Sequence, residues 1–144
     1  MSFDAIYNIT GSAMTAQMIR LNIIASNLAN ANVVASSAEE AYKTRSPIFA
    51  TFYPINKKMS RKENRLNGAG VAIADIVETG EAERRYIPNH PLADPQGYVF
   101  YSNVNVIDQM TDMKSTSSSF AVSMAVFNAT KKMQMNMLKL GENN

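Results

Sequence analysis

Apolar and small residues recur at alternating three- and four-residue intervals through the first thirty positions. Ile6, Ile9, Ala13, Ala16 and Ile23 form one stripe; Met14, Leu21, Ile24, Leu28 and Ala31 form an adjoining one. This spacing predicts a helix from Asp4 to Asn30, capped by Ser2 or Asp4. At 1.5 Å per residue it would run about 40 Å, long for a chain of this size. Two stripes imply two contact faces, so more than one neighbour is expected. Gly11 costs about 1 kcal/mol of helix propensity and suits a place where another backbone approaches closely. Asn27, Asn30 and Asn32 offer exits that tolerate left-handed backbone and can hydrogen-bond free carbonyls.

The same pattern returns at the other end. Neither Pro nor Gly occurs between Ser102 and Gly141, so a helix of about 54 Å is predicted, capped by Asn103 or Asn105 and stopped at Gly141. Val106, Met110, Met113, Phe120, Met124 and Phe127 form its first stripe, and Val122, Val126, Ala129, Met133 and Leu140 its second. Asp108 suits its positive end, and Lys131, Lys132 and Lys139 its negative end. Asn27, Leu28 and Asn30 of the first helix are expected to face Val122 to Leu140 of the second.

Between the helices the period changes. Val33 to Glu40 reads as a loop, and Tyr42 to Tyr53 as one extended, edge-type strand punctuated by Pro47 and Pro54. Lys57, Lys58, Arg61, Lys62 and Arg65 form a basic cluster that reads most simply as a solvated loop. Val71 to Glu78 reads as a strand, with Gly80 as a turn and Arg84 to Ile87 returning as its hairpin partner. Pro88-Asn89-His90-Pro91 and Asp94-Pro95-Gln96-Gly97 are turns, and Tyr98 to Tyr101 is a last short strand. The expected fold is therefore mainly α with a small β region (α+β): two long terminal helices packed as a coiled-coil-like pair, with a β-hairpin-rich insert. Residues 1–32 and 104–144 would be a terminal helical core domain, and 33–103 a β-rich middle region.

Composition narrows the function. The 144 residues are 46% hydrophobic and 18% charged, with ten Met and no Trp. Charge below the ordinary level of about 25% suits a chain that buries surface against partners. A net charge of +2 implies neither nucleic acid nor an acidic membrane as partner. The absence of cysteine excludes disulfides, thiol catalysis and thiolate metal sites. No window approaches the roughly 20 apolar residues of a membrane span, and Asp4 ahead of the first basic residue, Arg20, does not fit a cleaved secretory signal.

Little in the chain points to chemistry. His90 is the only histidine and lies in a turn sequence without nearby carboxylates to complete a metal site. No serine has a nucleophile-elbow context, and Gly68-Ala69-Gly70 lacks the third glycine of a dinucleotide loop. Met133, Met135 and Met137 offer thioethers suited to Cu(I), but on a helix Met135 points away from the other two, which leaves adaptable packing as the reading. No enzyme, metal or cofactor is expected. Two long, two-faced helices cannot satisfy all their apolar area by pairing once, so the surplus should meet copies or relatives of the chain. The expected subunit interface comprises Ile9, Ala13, Leu21, Ile24, Asn27, Leu28, Asn30, Phe120, Met124, Phe127, Met133, Met137 and Leu140.

Three stretches carry a resemblance. Asn8-Ile9-Thr10-Gly11-Ser12-Ala13-Met14-Thr15-Ala16-Gln17 with Ala25-Ser26-Asn27-Leu28-Ala29-Asn30-Ala31, then Tyr86 to Val99, then Asn103-Val104-Asn105 with the Met-rich last helix, closely resemble the bacterial flagellar rod and hook proteins. The second and third are most similar to the proximal-rod members. The chain departs from them in its more basic Lys57 to Arg65 segment and in Ser115 to Ser119. The resemblance implies a structural subunit of the basal-body rod that assembles with itself and other rod proteins, transmits torque, and leaves the cell through the flagellar type III export apparatus without a cleaved signal. It also implies terminal segments that order on assembly, with no nucleic-acid partner and no membrane insertion. Another flagellar axial component, or a basic-loop module binding nucleic acid or lipid, are the alternative readings.

Overall fold

The computed structural model describes residues 3–53 and 69–142. Ser2 and the basic cluster at 57–65 lie outside the described residues. The elements follow in the order α1 (Phe3–Ala29), β1 (Val34–Ala35), β2 (Thr44–Phe52), β3 (Gly70–Thr79), β4 (Glu83–Tyr86), β5 (Tyr98–Tyr101) and α2 (Val106–Glu142). The architecture is mainly α with a small antiparallel β region. The chain divides into two compact units: the described residues of Met1–Ile19, Phe49–Ala74 and Thr116–Asn144 in the first, and Arg20–Ile48 with Asp75–Ser115 in the second.

Both helices follow their patterns closely. α1 has 27 residues, with Asp4 in the first turn, where its charge suits the positive end of the helix. α2 has 37 residues and is capped by Asn105, whose Oδ1 accepts from the N–H groups of Ile107 at 3.0 Å and Asp108 at 3.4 Å. It runs through Gly141 rather than stopping there.

In the first unit, small residues bring the helices close. Ala5 and Ala16 are buried, and Thr10 is buried too because its hydroxyl bonds back to the Ile6 carbonyl at 2.7 Å. Tyr7 meets Phe127 edge to face, centroids 5.1 Å apart, and its hydroxyl donates to Gln134 Oε1 at 2.8 Å. The Val71 N–H donates to Ser12 Oγ at 3.1 Å, which fastens the start of β3 to α1. Among the described residues nothing lies within 4 Å of where a Cβ on Gly11 would stand, so none of them is the close neighbour expected there.

The second unit has the denser core: Ile23, Ile24, Ala31, Ala35, Ala41, Val99 and Val104 are buried, Val99 completely. Its three-stranded sheet has the order β1-β5-β4, with Val34 opposite Tyr101, Ala35 opposite Phe100, Arg85 opposite Val99 and Tyr86 opposite Tyr98. β5 is central, which suits the complete burial of Val99. The helices run antiparallel here, since Arg20 reaches Asp112 at 3.4 Å and Asn27 reaches Gln109 at 2.9 Å.

Three expectations are corrected. The hairpin of Val71–Glu78 with Arg84–Ile87 does not form: β3 pairs with β2, and β4 pairs with β5. Alternation reports which residues suit a strand, not which strand is the neighbour, and Asn103 decides the matter. Its Nδ2 donates to the Thr79 carbonyl at 2.7 Å, while its Oδ1 accepts from the Thr44 N–H at 2.8 Å and the Thr44 hydroxyl at 3.0 Å. The ends of β2 and β3 are thereby joined to each other. Gly80, at φ 78°, turns the chain away, and a Cβ there would stand 2.3 Å from Asn103 Nδ2. Second, the loop expected at 33–40 contains β1, too short for a period to declare itself. Third, Asn27 does not face Val122 to Leu140. Antiparallel packing sets the end of α1 beside the start of α2, so its partner is Gln109.

The turn at Asp94–Gly97 forms as expected. The Gly97 N–H donates to the Asp94 carbonyl at 2.9 Å, and Asp94 Oδ1 accepts from the N–H groups of Gln96 and Tyr98 at 2.9 and 2.8 Å.

Candidate assembly surface

The segment around Asn27 is positioned by a polar knot. Asn27 is 0% exposed. Its Nδ2 donates to the Arg45 carbonyl and to Gln109 Oε1, both at 2.9 Å, and its Oδ1 accepts from the Tyr42 hydroxyl at 2.9 Å and the Arg45 N–H at 3.1 Å. The carboxamide thus pairs with the Arg45 peptide as a neighbouring strand would, and every donor and acceptor it has is used. Tyr42 is held in turn by Ser26, 3.3 Å from its hydroxyl. Asn30 Nδ2 closes α1 by donating to the Ser26 carbonyl at 2.8 Å. One helix end, the start of β2 and the first turns of α2 are fastened at a single residue.

The expected interface residues separate by helix. On α1, Ile24 and Asn27 are buried and Ile9, Ala13, Leu21, Leu28 and Asn30 are half-buried. On α2, Phe120 and Phe127 are half-buried, whereas Met124, Met133, Met137 and Leu140 are exposed, Leu140 at 72%. Val122, Val126, Met135 and Leu138 extend that exposed apolar surface. Water contact with so many large apolar side chains on one helix is costly, and such a surface marks an interaction site. Beside it, Tyr7, Phe127, Lys131, Gln134, Met135 and Leu138 line a mostly apolar groove of about 590 Å³.

The outer strand of the three-stranded sheet is polar and fully exposed, with its cations laid over aromatic rings. The Arg84 guanidinium lies 3.6 Å from the Tyr98 ring centroid and that of Arg85 4.5 Å from Tyr101. Arg84 also approaches Asp94 at 4.0 Å. Arg85 donates to Glu83 Oε2 at 2.8 Å, and that hydrogen bond holds the Glu83 carboxyl below its ordinary 4.5 and raises the Arg85 guanidinium.

His90 takes the turn role expected of it, its Nδ1 accepting from the Leu92 N–H at 3.1 Å. Among the described residues no three His, Cys, Asp or Glu side chains are grouped to hold a metal ion, and no helix is long and apolar enough to cross a membrane. Pattern reading missed Tyr7, Tyr42, Asn103 and Gln109 as organising residues. Only Asn103 carried a signal, as a cap candidate, and the structure gives that task to Asn105.

Residues 8–35 match the family model described as flagella basal body rod protein, and residues 96–140 match the C-terminal model of flagellar basal body rod FlgEFG protein. The flagellar basal-body rod protein FlgC of Escherichia coli O6:H1 is 37% identical over 141 residues, covering 95% of this chain and 96% of that one. The protein of the same name from Salmonella typhimurium is 36% identical over 95% and 96%, and that from Bacillus subtilis 29% identical over 94% and 95%. These matches span both helices and the strands between them, and the chain belongs to the flagellar basal-body rod protein FlgC family.

Proposed function

We infer that this protein is a structural subunit of the bacterial flagellar basal-body rod. Its localisation is the basal body, and it assembles with other basal-body components. The observation that carries the reading is the nearly full-length similarity to FlgC proteins on a chain whose last helix leaves many large apolar side chains exposed. A subunit that ends its life in a polymer has reason to keep such a surface; a monomer has reason to lose it.

The finer reading extends this. The chain forms part of the tubular proximal rod, transmits torque, and is carried there by the flagellar type III export apparatus. Residues 1–32 and 104–144 act as the assembling core, and 33–103 as the β-rich region outside it. The exposed members of the predicted interface, Met124, Met133, Met137 and Leu140, meet neighbouring subunits, while Ile24 and Asn27 hold the shape that presents them. The free subunit's terminal segments order on assembly, since fixing each residue costs about 1 to 2 kcal/mol of backbone entropy that interface burial must offset. The arrangement calls for no catalytic step and no cofactor.

The test is complementation of a strain lacking this gene. Wild-type protein should restore motility and a complete rod in isolated basal bodies. Leu140→Asp places a charge on the exposed apolar surface without touching the core, so it should leave helical content unchanged and block rod formation. Motility and intact rods in cells carrying no copy of the gene would refute the function; full assembly by Leu140→Asp would remove that surface from the interface.

A further inference from the structure

The start of α2 carries an exposed apolar knob. Ile107 is 75% exposed and Met110 59%, and their spacing of three sets them on one face of the helix. Asp108, between them, is exposed and makes no ion pair among the described residues. Further along the same helix the groove lined by Tyr7, Phe127, Gln134, Met135 and Leu138 has Lys131 in its wall and the exposed Lys132 next in sequence. Neither lysine makes an ion pair among the described residues. The knob presents apolar side chains with the Asp108 carboxylate beside Ile107 in sequence, and the groove an apolar floor with the Lys131 ammonium group in its wall.

We propose that Ile107 and Met110 of one copy enter this groove on a second copy, where Asp108 meets Lys131 and Lys132. The proposal rests on the reading of the chain as a rod subunit and specifies one contact that subunit makes with its own kind. The occupant is a second copy because the complementary charge and the apolar knob both belong to this chain. Knob and groove are different surfaces, so each added copy still offers one of each. Such a contact does not close on itself in a dimer and propagates as an open assembly.

The experiment uses the purified full chain and follows self-association by sedimentation velocity. Asp108→Lys alone and Lys131→Asp with Lys132→Asp should each raise the concentration needed for association by about tenfold. The variant carrying all three changes should return to the wild-type value. A mixture of the two defective proteins should associate as wild type does, in alternating order, since the knob of each complements the groove of the other. Because the chain has no cysteine, Met110→Cys with Leu138→Cys supplies an unambiguous second readout, with oxidation expected to give a ladder of covalent multimers. The proposal is overturned if wild type fails to associate, if charge reversal changes nothing, if the triple variant stays defective, or if oxidation of the cysteine variant gives no covalent multimers. Restoration of motility by the wild-type gene reads the rod function separately, so either idea can fail without the other.

Discussion

Asn27→Ala removes the residue on which three elements converge. The four hydrogen bonds of its carboxamide vanish together, with unequal consequences. Gln109 Oε1 is buried and loses the donor that Asn27 gives it, which leaves an unsatisfied acceptor worth about 1 to 3 kcal/mol. The Arg45 N–H and C=O are partly buried and lose about 1 kcal/mol each. The Tyr42 hydroxyl keeps Ser26 at 3.3 Å and contributes little. The sum is about 3 to 5 kcal/mol, a large share of the roughly 5 to 15 kcal/mol that holds a small protein folded. Urea unfolding followed by far-ultraviolet circular dichroism reads the loss, and hydrogen exchange at the Arg45 amide reads its location. Asn27→Asp sharpens the test. It keeps the acceptor but turns a buried charge toward Gln109 Oε1 and the Arg45 carbonyl. That carboxyl's pKa in the folded state is raised, so the variant should recover stability as pH falls and lose it as pH rises. A loss below about 1 kcal/mol for Asn27→Ala, with unchanged exchange at Arg45, would show that the knot is not a stabilising centre.

Gly80→Ala should cost about 2 to 3 kcal/mol, combining left-handed backbone with displacement of the Asn103 amide from Thr79; chemical denaturation measures it, and a neutral outcome contradicts the role given to Asn103. Gly11→Ala should stabilise the free chain by up to about 1 kcal/mol, since its surroundings are open, and a parallel loss of rod assembly would reveal a neighbouring subunit at that spot. The Glu83 carboxyl should titrate below 4.5 by nuclear magnetic resonance and return to that value in Arg85→Ala. Because its folded pKa is depressed, its small contribution is present above the unfolded value and fades as pH falls through the folded one; Glu83→Gln should abolish that acid-side change.

The helices were legible because their information is local. Three- and four-residue recurrence over more than twenty positions has no alternative reading, and even the cap at Asn105 could be named as one of two candidates. Strand existence was legible for the same reason: β2, β3 and β5 each carry aromatic or β-branched runs bounded by turn residues. Strand partnership was not. β3 joins β2 rather than β4 because a side chain from beyond β5, Asn103, bonds to both Thr44 and Thr79. Arg45 with Glu78, and Thr79 with the Thr44 carbonyl, also join the two strands, but such pairs become visible only once the strands are side by side. β1, at two residues, has no period to detect.

Asn27 shows where the boundary falls. Its own stretch of sequence marks the end of a long helix and resembles a family signature, and both follow from neighbours within a few positions. Its partners, Tyr42, Arg45 and Gln109, are 15, 18 and 82 positions away. Sequence alone therefore determined two long helices with more than one apolar stripe each, a β-rich interval and surplus apolar surface, all properties of local spacing and composition. Tertiary structure alone decided which side chains spend their polarity inside the chain and which apolar ones stay exposed, because burial and hydrogen bonding depend on contacts that loop closure brings together.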